Sequence, residues 1–114
     1  MKFLKNSALF KSESGADNIY TFNRNNPSRI DLLKYMERLW EKYRPYCGDS
    51  HFVSEFKDKF RARWWELFLA NSILDGGFQL QKGSSEGPDI CLDINGQKTW
   101  IEAISMDNGD IGKP

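Results

Sequence analysis

Asn95-Gly96 stands between two stretches of alternating apolar residues, and this dipeptide constrains the fold more than any other part of the chain. Asn and Gly both tolerate positive φ, which a two-residue type I′ hairpin turn requires at both of its central positions. Before the turn, Ile90, Leu92 and Ile94 alternate with Asp89, Cys91 and Asp93; after it, residues 97–104 return as the partner strand. A two-residue turn also fixes the register. Ile94 then faces Gln97, Asp93 faces Lys98, Cys91 faces Trp100 and Asp89 faces Glu102. Ile90, Leu92, Ile94, Ile101 and Ala103 share the sheet face expected to pack on the core. Asp93 opposite Lys98 predicts a cross-strand ion pair.

Upstream, residues 78–82 alternate in the same way and predict a third strand, separated from residue 89 by the loop Gly83-Ser84-Ser85-Glu86-Gly87-Pro88. Two helices are expected before the strands. The first starts at Asn26-Pro27-Ser28, a cap followed by proline at the first helical position. Ile30, Leu33, Met36, Leu39 or Trp40, and Tyr43 recur at spacings of three and four, and Pro45 and Gly48 end the helix. The second is expected over 50–74, capped by Asp49 or Ser50 and stopped by Gly76-Gly77. Its stripe is Val53, Phe56, Phe60, Trp64, Leu67 and Asn71, with Lys57, Asp58, Lys59, Arg61 and Arg63 on the wet side. From Trp64 to Ala70 the helix is apolar nearly all round, which predicts burial on more than one side. Glu66 sits alone in that stretch, and a buried carboxylate needs a partner, a metal or a raised pKa. Residues 1–26 are polar and are expected to be irregular, with one short strand at 18–23. The predicted organisation is an irregular segment over 1–26 and a domain over 27–114. The fold class is α/β (α+β), two helices followed by a short antiparallel three-stranded sheet.

Composition narrows the chemistry. With 39% hydrophobic and 28% charged residues over 114 positions, the chain has the make-up of one soluble domain. No apolar run is long enough for a bilayer span or a signal peptide, so the expected location is the cytoplasm, with no membrane partner. His51 is the single histidine, which excludes histidine-rich zinc sites and disfavours a Ser-His-Asp triad. Cys47 and Cys91 do not make a disulfide framework and are expected to be reduced core thiols. Sixteen basic and sixteen acidic residues balance, so any nucleic-acid contact would rest on a local patch. Catalysis, if present, falls to carboxylates, amides, hydroxyls or lysines.

The opposed pair Asp89 and Glu102 is the foremost candidate. Cβ atoms of directly opposed residues lie about 4.5–5.5 Å apart, and like charges so placed destabilise a sheet. A divalent cation or a shared proton relieves that repulsion, and oxygen ligands of this kind suit Mg²⁺ or Mn²⁺. The alternative is that both carboxylates stand on a solvated sheet face and tolerate each other.

Glu66 on a helix, then a strand, then Gly87-Pro88-Asp89, then a hairpin into Trp100-Ile101-Glu102-Ala103 resembles the PD-(D/E)xK, or restriction-endonuclease-like, nuclease superfamily over roughly residues 50–107. The resemblance implies a metal-dependent phosphodiesterase acting on DNA or RNA. Glu66 would be the helix acid, Pro88-Asp89 the Pro-Asp pair and Glu102 the strand acid, together holding Mg²⁺ or Mn²⁺. The family's lysine, two residues after the strand acid, is matched here by Ile104. Lys82 is the local candidate to replace it, on a strand expected to run antiparallel to that of Asp89. Lys98 is placed worse, since it lies about 13 Å along the strand from Glu102. The family core continues with a further helix and strand. The chain is therefore expected to be the amino-terminal part of that core, completed by further sequence or by a partner chain, and to expose apolar surface or self-associate without it. Two other classes stand beside the nuclease: a degenerate nuclease fold that binds without cutting, and a structural or interaction module whose carboxylate pair is incidental.

Overall fold

The structure, a computed structural model, describes residues 2–83 and 90–102. Helix α3 (Ile30–Tyr43) begins as the sequence predicts: the Asn26 side chain accepts from the Ser28 backbone N–H at 3.1 Å, and Pro27 opens a short 3-10 turn, Pro27–Arg29. Leu33, Met36, Leu39, Trp40 and Tyr43 are buried along one face. That face packs against α5 (Phe60–Asp75), whose buried residues are Phe60, Glu66, Leu67, Ala70 and Asn71. Gly77, at φ +89°, follows the end of α5 with its N–H donating to Leu74 O, so the double glycine stops the helix as expected.

The expected continuous helix over 50–74 is broken in two. After the short α4 (Phe52–Glu55) the chain turns through residues 56–59 and Lys59 leaves helical geometry before α5 begins. The apolar stripe survives the break because Phe56 and Phe60 meet edge to face at 5.2 Å in the core. What occupies the break is the amino-terminal segment. Asp17 N–H donates to Lys57 O at 3.2 Å, and Ala16 N–H donates to the Asp58 carboxylate at 2.8 Å. Lys57 O would otherwise have been spent inside one long helix.

That segment is not irregular, and residues 18–23 are not a strand. Lys2–Asn6 forms α1 and Asn18–Arg24 forms α2. The Asp17 side chain accepts from Ile19 N–H at 2.8 Å, a local cap that decides for helix. Leu9, Phe10 and Tyr20 enter the same hydrophobic cluster as Leu33, Trp40, Phe52 and Leu67, so residues before 27 belong to the core. Glu37 of α3 holds the segment, accepting from Ser7 Oγ, from Ala8 N–H at 2.9 Å and from Leu9 N–H at 3.2 Å.

The sheet is three antiparallel strands in the order β1 (Gln79–Gln81), β2 (Ile90–Ile94), β3 (Gln97–Ile101). Asn95 at φ +52° and Gly96 at φ +85° make the turn, and the register is the expected one: Ile94 against Gln97, Asp93 against Lys98, Cys91 against Trp100, Ile90 against Ile101. Ile90, Leu92 and Leu80 pack on the core; Ile94, beside the turn, is 40% exposed and does not. Asp93 forms no ion pair with Lys98. Its carboxylate instead accepts from the Gln81 side chain at 3.1 Å and from Gly96 N–H at 2.8 Å, tying β2 to β1 and to the turn. The class is α+β, five helices and a small antiparallel sheet among the described residues.

Candidate carboxylate site

Glu66 is 2% exposed, facing the interior from α5. Arg63, one turn earlier, donates from Nη1 to its Oε1 at 3.1 Å, and the Tyr43 hydroxyl of α3 donates to its Oε2. The guanidinium also donates from Nη2 to Asp49 at 2.9 Å and to Glu55 at 2.7 Å, and lies over the Phe52 ring at 5.3 Å. Burial alone pulls the Arg63 pKa down, but Glu55, Glu66 and Asp49 outweigh it and raise the value above the ordinary one, so the group stays charged. Glu55 is held below the ordinary carboxylate range by hydrogen bonds from Lys59 and Arg63. The Cys47 thiol beside this cluster is pushed up to about 11, first by burial and then by the charge of Glu66.

Arg63 was expected on the wet side of its helix, and the structure turns it inward, its side chain only 13% exposed. The signal for this was present in the sequence: Arg63 and Glu66 are spaced i, i+3 on a helix that turns apolar between them. Removing the Arg63 guanidinium would strand the charge of Glu66 in the interior, which is the reason an arginine follows the carboxylate inward. Of the other basic residues on that stretch, Lys57 pairs with Asp58 and Lys59 with Glu55.

Glu102 follows the end of β3 and is exposed. It shares the parity of Lys98 and Trp100 and so lies on the face that also carries Cys91 and Asp93. Asp89 and Ile104 lie outside the described residues. Lys82 is exposed. The β1–β2 ladder sets Gln81 against Cys91, so one further step sets Lys82 against Ile90 rather than Asp89, on the face opposite to Glu102. No hydrogen bond or ion pair joins Lys82, Glu102 and Glu66 to one another among the described residues.

A divalent cation fits these residues unevenly. Glu66 does not suit a ligand in this arrangement, because a guanidinium already stands against one oxygen and a phenol against the other. Glu102 offers an exposed carboxylate of the right chemistry. Among the described residues no three His, Cys, Asp or Glu side chains gather to hold a metal. No described helix is long and apolar enough to cross a membrane. Compared with known proteins, the chain matches no protein-family model, no curated protein and no solved structure.

Proposed function

We propose that the chain carries a metal-dependent nuclease-like site of the PD-(D/E)xK kind, with Asp89 and Glu102 as the carboxylates that face a phosphodiester of DNA or RNA. The observation that supports it is the hairpin register. The described ladder runs to Ile90 against Ile101, and one more step in the same register would oppose Asp89 and Glu102. Two carboxylates so opposed are a liability unless something cationic lies between them. A bound Mg²⁺ or Mn²⁺ would lower the pKa of a water and offset charge on the phosphate. Glu66, in this proposal, anchors α5 to α3 through Arg63 and Tyr43 and so sets the platform on which the sheet rests, α5 being in contact with β1.

A second version of the same site binds without cutting. The engagement of Glu66 by Arg63 and Tyr43 favours it, as does a ladder that turns Lys82 to the other face, with Ile104 in the lysine position. Incubating the chain with plasmid DNA and with RNA in Mg²⁺ or Mn²⁺ separates the two. Cleavage that disappears in Asp89→Asn and in Glu102→Gln is expected of the nuclease. If Lys82→Ala then weakens cleavage while Lys98→Ala does not, Lys82 replaces the missing lysine. Cleavage that persists in both carboxylate variants would remove the proposal altogether.

A further inference from the structure

Across α3 and α5 runs a row of aromatic rings, exposed at Tyr35, Trp65 and Phe68 and linked through the half-buried Trp64. Tyr35 meets Trp64 at 6.3 Å, Trp64 meets Phe68 at 6.1 Å, and Phe68 stacks on Trp65 at 6.0 Å with their planes 20° apart. Tyr35 is 41%, Trp65 38% and Phe68 45% exposed, so the apolar stretch of α5, expected to be buried on more than one side, presents rings to solvent. A contiguous exposed apolar patch of this kind marks a contact surface.

The charges beside it say what kind. Arg38 lies over the Tyr35 ring at 5.8 Å, and Lys34 is one helical turn before it on the same exposed edge of α3. Neither pairs with a carboxylate among the described residues, although Lys42, Arg44, Lys57, Lys59 and Arg63 all do. Lys34 and Arg38 thus bring two cations to the ring row, and Asp31 on the same exposed edge of α3 leaves that edge one net positive charge. Tyr, Trp, Phe and Arg are all common in protein–protein interfaces, but lysine is depleted at their centres, and cations bordering exposed ring faces are what a single-stranded nucleic acid uses: cations track the backbone and rings stack on the bases.

We propose that the face formed by Lys34, Tyr35 and Arg38 of α3 with Trp64, Trp65 and Phe68 of α5 binds single-stranded nucleic acid without sequence preference. It stands on a different observation from the carboxylate pair and needs no metal.

The test is fluorescence anisotropy of a labelled oligothymidylate or oligouridylate of about twelve nucleotides, titrated with the full chain in EDTA. At low salt, about 50 mM, we expect saturable binding. Trp65→Ala and Phe68→Ala should each weaken it roughly fivefold or more. Arg38→Ala should flatten the dependence of log affinity on log salt by about 0.7. Because these side chains stand at the surface, Arg38→Glu serves as a further variant that leaves the core untouched, and it should abolish binding at that salt. Asp89→Asn should change nothing here, so this face and the carboxylate pair succeed or fail separately. Absence of binding at low salt overturns the proposal, as does binding indifferent to Trp65→Ala, Phe68→Ala and Arg38→Glu. Self-association through these rings, lost in Trp65→Ala and without any oligonucleotide binding, overturns it in favour of a contact between copies.

Discussion

At the scale of single residues, the Arg63 cluster governs what Glu66 can do. Breaking a buried ion pair from one side strands the other charge, at a cost of about 3–5 kcal/mol. Arg63→Met should therefore lower the denaturant midpoint sharply. Glu66→Gln should also destabilise the fold, yet leave unchanged any metal affinity of the Asp89–Glu102 pair, since Glu66 is engaged with Arg63 and Tyr43. The cluster also gives a pH dependence. Glu55 is depressed below its ordinary value of 4.5 by Lys59 and Arg63. Its stabilising contribution is complete above that value and is lost as pH falls through the lower, folded-state pKa. Melting temperature should thus drop on acidification below 4.5, and less steeply in Glu55→Gln. Glu66 was recognisable in the sequence as a carboxylate in need of a partner. Its i, i+3 spacing from Arg63 hinted at the partner, but the convergence of Asp49 and Glu55 on the same guanidinium was not legible, because it depends on how the chain before α5 folds back.

At the scale of elements, legibility tracked how local the cause was. The hairpin register and its turn were fully legible, because Asn95-Gly96 decides both within two residues. The start of α3 was legible for the same reason, a cap and a proline side by side. The break between α4 and α5 was not, since its cause lies some forty residues away in the chain, where Ala16 and Asp17 supply the hydrogen bonds that fix the turn at 57–58. Helix α2 had a local signal, Asp17 as a cap, which the polar surroundings obscured. Gly15 makes this docking possible. A Cβ there would fall 2.2 Å from Lys57 O, a backbone atom that cannot step aside. Gly15→Ala should cost about 1–3 kcal/mol, measured by urea unfolding, whereas substitutions at the exposed Lys11 should be nearly neutral.

At the scale of the whole molecule, one aromatic-rich core joins the amino-terminal segment, both long helices and the sheet. The packed helices carry the ring row of Tyr35, Trp64, Phe68 and Trp65, and β3 leads into the exposed Glu102. A nuclease-like molecule built this way would hold a strand on the first and act on it at the second. What the sequence made legible near the candidate site was the hairpin register from Ile90 to Ile101, Asp89 itself lying outside the described residues; the environment of Glu66 and the facing of Lys82 came from the tertiary arrangement and the β1–β2 ladder. Melting temperature as a function of Mg²⁺ or Mn²⁺ concentration, in the wild-type chain and in Asp89→Asn and Glu102→Gln, probes the opposed carboxylates directly. A cation held by the folded state alone stabilises it by about 2.7 kcal/mol at a hundredfold excess over Kd, a rise on the order of 10 °C for a chain this size. We expect that rise in the wild type and its loss in both variants; a melting temperature indifferent to both ions, or a rise that survives in both variants, would contradict a metal site at Asp89 and Glu102.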